Sequence, residues 1–427
     1  MFNNNLPPSE QIAQLMALIY GTGLTTTSGG NISIKESNGD IWITPAALDK
    51  GSLKVDQVVC VHPDGSVTGD YAPSSELPFH QAIYEKRPDI KSVIHAHPPA
   101  LVSYSIVRKK PDTSVLPQVL STCGQVGYAS YRLPGTKELG ESISREFESG
   151  FNCLIMENHG TVVGGADSDQ AFQRFETLEF CARTLIRGHQ IGTVNLLSNE
   201  QISMFDGATD NLGEFQSESQ GHSEQQVREE ICTYVHRACR QKLMISTYGT
   251  VSVRLDTDDF IITPTGINRH YIEPNDLVLI SNGTKESGKQ PSRAVHIHQE
   301  IYKKHPEINS IISTQSPNAT AYCVSGKTID THTIPESYFL LNDIKLMPFG
   351  CQFGSSSVIP DALSKESPVL LIQNDAILTT GGTILQAFDR LEVAEFSARS
   401  LIDSKSIGKM VPISQNDIRQ IKEKFLS

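Results

Sequence analysis

Gly30-Asn31-Ile32-Ser33-Ile34, followed by Ile43-Thr44-Pro45, is answered further along the chain by Gly249-Thr250-Val251-Ser252-Val253 and Ile262-Thr263-Pro264. Each stretch alternates apolar and polar residues, the pattern of a strand with two differently dressed faces. The correspondence continues outward. Phe79-His80-Gln81-Ala82-Ile83-Tyr84 matches Ile297-His298-Gln299-Glu300-Ile301-Tyr302, and Ala171-Phe172 through Leu185-Ile186 matches Ala387-Phe388 through Leu401-Ile402. The period, about 218 residues, is far longer than a solenoid repeat, so a whole domain is duplicated. The expected organisation is a first domain over 1–206, a polar linker over 207–222 (GATDNLGEFQSESQGH) and a second domain over 223–427.

Within each copy the sequence predicts a leading helix (9–20 in the first), short strands over 31–35, 41–44 and 58–62, a helix over 75–85, buried strands over 91–96 and 153–156, and a long helix over 168–187. A small helix closes each copy, at 198–205 and 414–425. Short strands flanked by helices predict an α/β domain, a three-layer α/β/α arrangement with much antiparallel pairing. Hydrophobic residues at 38% and charged residues at 20% fit a globular chain. The net charge of -12 argues against nucleic acid as a partner. No apolar run is long enough to span a membrane, and the N-terminus lacks the basic and apolar regions of a secretory signal. The eight cysteines form no C-x-x-C pair and read as small buried hydrophobes of a cytoplasmic protein.

Val93-Ile94-His95-Ala96-His97 carries the chemistry. On a strand, His95 and His97 project from one face and can share a divalent cation. Glu157-Asn158-His159-Gly160 offers a third imidazole at a strand end, and Ser74-Ser75-Glu76 a carboxylate at a helix start, with Ser74 or Ser75 as the expected N-cap. Three histidines with an open position form a donor set of the catalytic zinc type, and a neighbouring carboxylate can act as ligand or general base. In the second copy Glu76, His95, His97 and His159 correspond to Ala294, Ser313, Gln315 and Asp375. The loss of all four within an otherwise kept apolar pattern marks them as one functional set. His80 and His298, present in both copies, read instead as serving the helix they sit on. Arg174, Glu176 and Glu179, with Arg390, Glu392 and Glu395, read as a solvated or interface helix face.

With Ser28-Gly29-Gly30-Asn31-Ile32-Ser33, Ile43-Thr44-Pro45, Ser74-Ser75-Glu76, His95-Ala96-His97 and Asn158-His159-Gly160, the first copy resembles the class II aldolase/adducin superfamily, and the second is a degenerate relative of it. The resemblance implies His95, His97 and His159 as ligands of Zn2+ or another divalent cation, and Glu76 as the acid/base. It implies Tyr128 as a second acid offered to a neighbouring subunit. Asn31, Thr44, Ser74 and Ser75 would hold a sugar-phosphate-like substrate. The implied reaction is retro-aldol cleavage through a metal-stabilised enediolate. Alternatives on the same site are 4-epimerisation, dehydration or decarboxylation, and a different class is the non-enzymatic, adducin-like scaffold. Thr44-Pro45-Ala46-Ala47 departs from the aldolases' hydroxyl-then-glycine turn, which the second copy keeps as Thr263-Pro264-Thr265-Gly266. The superfamily's fourfold rings imply a homo-oligomer, here a dimer of tandem chains forming a pseudo-tetramer.

Overall fold

The computed structural model describes residues 6–206, 212–216, 221–256, 259–353 and 357–425. They fall into two compact units, one formed by residues up to Thr113 with Gln118–Arg183, the other by Ser114–Pro117 with Thr184 onward. Each is built on its own mixed sheet with helices packed against it, the same α/β domain twice.

The first unit has strands β1 (Asn31–Lys35), β2 (Ile41–Ile43), β3 (Val59–Val61), β4 (Val67–Thr68), β5 (Ser92–Ala96), β6 (Val126–Ala129), β7 (Cys153–Met156) and β8 (Thr161–Gly165), in the spatial order β4-β3-β2-β1-β5-β8-β7-β6. All pairings are antiparallel except β6 with β7. Both faces of β1 and β5 are buried. One face carries Ser33 and Val93 and packs on helices Leu77–Lys86 and Lys137–Glu148, through Phe79, Ile83, Leu139, Ile143 and Phe147. Helix Pro8–Gly21 packs on β1 and β2. Helix Ser168–Ile191 comes so close to β8 that a Cβ on Gly165 would stand 2.4 Å from the backbone nitrogen of Ala171.

The second unit repeats this plan with β9 (Glu214–Phe215), β10 (Thr250–Arg254), β11 (Phe260–Ile262), β12 (Val278–Ser281), β13 (Thr284–Glu286), β14 (Ser310–Thr314), β15 (Lys345–Met347), β16 (Val369–Ile372) and β17 (Ile377–Gly381). Their order is β15-β16-β17-β14-β10-β11-β12-β13-β9. The register repeats as well: Asn31 faces His95 across β1 and β5, and Thr250 faces Ser313 across β10 and β14. Of the expected linker, 207–211 and 217–220 lie outside the described residues. Glu214–Phe215 is not free connecting chain but an edge strand paired in parallel with β13, because its backbone finds unpaired partners on that edge.

Two expectations change. The helix expected from Ser75 spans Leu77–Lys86, and its N-cap position is held by Glu76 rather than a serine. Ser74 Oγ accepts the Glu76 N–H at 3.3 Å, so the serine supports the approach to the helix while the Glu76 carboxylate is released from capping. The charged residues of the long helix are not a solvated face. Glu179 is buried at 2% exposure and accepts the N–H groups of Ala100 (3.2 Å) and Leu101 (3.1 Å) at the start of helix Pro99–Ile106, with Arg183 at 3.1 Å. Arg174 donates to the carbonyls of Gly164 and Thr122. Glu395 and Arg390 play the same parts in the second unit. A carboxylate on the free N–H groups of a helix start is favoured by both hydrogen bonding and the helix dipole, and this one anchors the helix that follows His97.

Glu179→Ala removes that anchor and leaves buried donors unpaired. It should cost about 2 kcal/mol, read as a lower urea midpoint than wild type. An unchanged midpoint would show that the helix start holds itself.

Candidate metal centre

β5 ends at Ala96, and His97 is the first residue past it. His159 lies in the tight turn between β7 and β8, where its N–H donates to the Met156 carbonyl and Asn158 takes a left-handed φ of 52°. Since β5 pairs with β8, the turn residue and the strand end meet. The ligand atoms of His95, His97 and His159 all lie within 4.8 Å of one another. Gly160 makes the approach possible: a Cβ there would stand 2.6 Å from both the Ala96 carbonyl and His97 Cδ2.

The tautomer of His95 follows from its surroundings. Nδ1 lies 2.8 Å from the Thr161 carbonyl, which can only accept, so Nδ1 carries the proton and Nε2 is left with a lone pair. His97 Nε2 stands 3.1 Å from that atom. Glu76 closes the group, its Oε2 3.3 Å from His95 Nε2 and its Oε1 3.6 Å from His159 Nε2. Oε1 is buried and has no hydrogen-bond partner among the described residues. Burial, reinforced by the neighbouring His97, lowers His95 to about 3. Burial and the other two imidazoles outweigh Glu76 and lower His159 to about 4. His97 is lowered too, by burial against a smaller opposing pull from Glu76. The three rings are therefore neutral at physiological pH, the form that ligates a metal.

The remaining expected site residues are placed less uniformly. Asn31, 3% exposed, donates its amide to Glu76 Oε2 at 2.7 Å. Thr44 is fully buried and its hydroxyl accepts the Ile32 N–H at 3.3 Å. Ser74 is buried beside Glu76, and Ser75 is exposed. Tyr128 is on β6, which is separated from β5 by β7 and β8, about 14 Å at the usual strand spacing. Its neighbours are Glu157 and Arg108, and burial with the Glu157 charge raises its phenol. In the turn after Thr44-Pro45, Ala47 takes a left-handed φ of 56°, as Gly266 does at 74° in the second unit. The backbone shape survives the change to alanine. Sequence reading missed the Thr161 carbonyl and Glu179, whose contribution depends on contacts between distant segments.

In the second unit Ala294 holds the N-cap position of helix Val295–Lys304, as Glu76 does in the first. Gln315 Nε2 reaches Asp375 Oδ1 at 3.5 Å, and Leu346 pairs with Leu371 in the register in which Tyr128 pairs with Ile155. Among the described residues of this unit no three potential ligands converge. One further grouping occurs in the first unit: Asp40, Cys60 and His62. There Asp40 Oδ1 and Thr68 Oγ1, each at 2.8 Å, occupy both ring nitrogens of His62. Burial, aided by Asp40 and Glu36, raises the Cys60 thiol to about 11 and keeps it protonated. These contacts form a clasp across the strands around β2–β4.

The sequence pattern of the class II aldolase and adducin N-terminal domain matches residues 10–186 and again 229–402. The chain belongs to this family. A 5-deoxy-D-ribulose 1-phosphate aldolase of Bacillus thuringiensis serovar kurstaki is 33% identical over 198 residues, 45% of this chain and 91% of that protein. A 3-oxo-tetronate 4-phosphate decarboxylase of Haemophilus influenzae is 28% identical over 183 residues, 42% of this chain and 87% of its own. An L-fuculose phosphate aldolase of Methanococcus maripaludis is 31% identical over 173 residues, 40% and 93% respectively. Class II aldolase family members with different reactions thus stand side by side among the relatives. No helix among the described residues is long and apolar enough to cross a membrane.

The lowered imidazoles set a pH dependence. Unfolded histidine takes up a proton near 6.5, whereas folded His159 does so near 4. Between these values the unfolded chain binds more protons, so the metal-free protein loses stability as pH falls from about 6.5 toward 4. His159→Gln removes one such group. Its urea midpoint should fall less steeply across this window, by up to about one proton per molecule. Parallel slopes for the two proteins would refute the shift.

Proposed function

We propose that the chain is a divalent-metal-dependent aldehyde-lyase of the class II aldolase type, with zinc as the metal, working at the centre in its first copy. The observation that carries this reading is the convergence of the ring nitrogens of His95, His97 and His159 around a Glu76 carboxylate whose buried Oε1 has no partner among the described residues. A buried carboxylate oxygen without a donor is costly, and a cation removes that cost. The residues therefore fit a cation: three imidazole nitrogens supply the donors, and Glu76 stands close enough to be a fourth or to leave for chemistry. Zinc bound there would act as a Lewis acid on a substrate carbonyl oxygen.

The substrate class proposed is a sugar phosphate or a related small hydroxy-carbonyl compound, in keeping with the names of the relatives. Glu76 would move the proton at the carbon where the C–C bond is cleaved, held for that task by the Asn31 amide. The second proton, at the aldehyde oxygen, needs another acid. Tyr128 lies too far along the sheet to serve the centre of its own copy, which supports a role at the site of a neighbouring chain. We propose accordingly a homodimer that closes a pseudo-tetrameric ring, with the second copy as scaffold. Buried thiols, seven of eight, support a cytoplasmic setting. Decarboxylation is the second reading, favoured by the Haemophilus influenzae relative: it breaks a C–C bond beside a carbonyl and draws on the same site.

Purified chain should hold about one zinc per molecule, and His95→Ala should lose it. On a panel of 5-deoxy-D-ribulose 1-phosphate, L-fuculose 1-phosphate and 3-oxo-tetronate 4-phosphate, Glu76→Ala should keep the metal and lose roughly 10²–10⁴-fold in turnover. Dihydroxyacetone phosphate is the shared product of all three substrates, so release of the aldehyde co-product (acetaldehyde or lactaldehyde) identifies the aldolase, and carbon dioxide the decarboxylase. Wild-type protein without stoichiometric metal would leave the lyase reading without support and favour a scaffold.

A further inference from the structure

Glu76 is held by Asn31, and Asn31 in turn is held by a buried row of side chains. Tyr84 OH lies 2.7 Å from Ser33 Oγ, Ser33 Oγ lies 2.7 Å from His80 Nδ1, His80 Nε2 lies 2.5 Å from Asn31 Oδ1, and Asn31 Nδ2 donates to Glu76 Oε2 at 2.7 Å. Ser33 and His80 are fully buried, and Tyr84 and Asn31 nearly so. The row has one polarity compatible with a carboxylate at its end. A carboxylate only accepts, so the Asn31 NH2 must face Glu76, and the Asn31 carbonyl then faces His80. That carbonyl requires a proton on His80 Nε2, which leaves Nδ1 to accept from the Ser33 hydroxyl. The opposite tautomer would demand a flipped Asn31 amide, placing its oxygen against the carboxylate. Burial, and His95 nearby, hold His80 well below the usual histidine range, so the ring is neutral and has one N–H to place.

The second unit supplies the control. Ser252 Oγ lies 2.7 Å from both His298 Nδ1 and Tyr302 OH, the same three residues at the same distances. Beyond them the row stops. Thr250 occupies the register position of Asn31, and its hydroxyl pairs with Ser292 Oγ at 2.6 Å. His298 Nε2 is buried with no partner among the described residues, and the position of Glu76 is Ala294. The serine–histidine–tyrosine group is thus common to both copies and ties the helix to the sheet. Its extension through the second ring nitrogen exists only where the carboxylate and the three imidazoles exist.

We propose that His80 is a positioning residue: in its Nε2–H tautomer, with Nδ1 accepting from Ser33, it orients the Asn31 amide, which holds the Glu76 carboxylate over the three imidazoles. The catalytic consequence rests on the lyase reading above; the orientation of Asn31 and Glu76 does not. A partner that locks the geometry of a metal-site group typically changes activity 10–100-fold when removed, because displacements well under an ångström matter at a reacting centre.

The test has a structural arm and a kinetic arm, both on the full chain. In ¹⁵N-histidine-labelled wild-type protein, metal-free and zinc-loaded, long-range ¹H–¹⁵N correlation should find His80 protonated on Nε2 and bare on Nδ1. The opposite tautomer, or rapid averaging, overturns the proposal without any assay of turnover. A crystal structure of His80→Leu should show the Asn31 amide turned or the Glu76 carboxylate withdrawn from it; unmoved side chains overturn it. In the kinetic arm, with whichever sugar phosphate of the panel wild type cleaves, His80→Leu should lower kcat about 10–100-fold with zinc content unchanged and KM within about two-fold. His80→Gln, whose amide N–H can still reach Asn31, should recover most of that loss, and His298→Leu should leave kcat unchanged. Equal loss in the Leu and Gln variants, or loss that merely follows zinc content, assigns His80 to packing alone. If wild type cleaves nothing on the panel, the proposed reaction fails while the tautomer and the crystal structure still decide the positioning.

Discussion

The antiparallel register of β1 and β5 is the constraint on which the rest depends. It sets Asn31 directly opposite His95 and Ser33 opposite Val93, so the polar face of β1 runs from the packed interior to the histidine at the strand end. A slip of one residue would turn Asn31 and Ser33 to the opposite face. Gly30 guards this register: at φ +77° a Cβ would stand 2.7 Å from the His95 carbonyl, so only glycine lets the chain enter β1 beside the histidine strand.

The centre built on that register combines tension with support. Three imidazoles, two of them with ring nitrogens 3.1 Å apart, and a carboxylate oxygen without a donor share a largely buried space. The carboxylate oxygen left without a donor is unfavourable there, so the surroundings must hold the group in place. The Thr161 carbonyl fixes His95, Glu179 fixes the helix leaving His97, and the β7–β8 turn fixes His159. Each support comes from a different segment of the chain.

Duplication makes this division visible. Glu395 still anchors its helix and Ser252, His298 and Tyr302 still tie theirs to the sheet, so the scaffold survives in the second copy. The positions of the imidazoles and the carboxylate hold Ser313, Gln315, Asp375 and Ala294. The first group ties helices to the sheet in both units; the second makes no such tie.

The sequence alone determined the duplication, the α/β class and the candidate ligands His95, His97, His159 and Glu76, because these rest on period, alternation and residue type along the chain. Strand limits such as Asn31–Lys35 and Cys153–Met156 were legible for the same reason. Only the tertiary structure decided that Glu76 is the N-cap residue yet does not cap with its side chain, that Glu179 is buried at a helix start, that Glu214–Phe215 joins a sheet edge and that His80 touches Asn31. Hydrogen bonds of this kind join residues far apart in the chain, and a linear pattern records the chemical type of a side chain but not which distant donor or acceptor the packed sheet and helices bring against it.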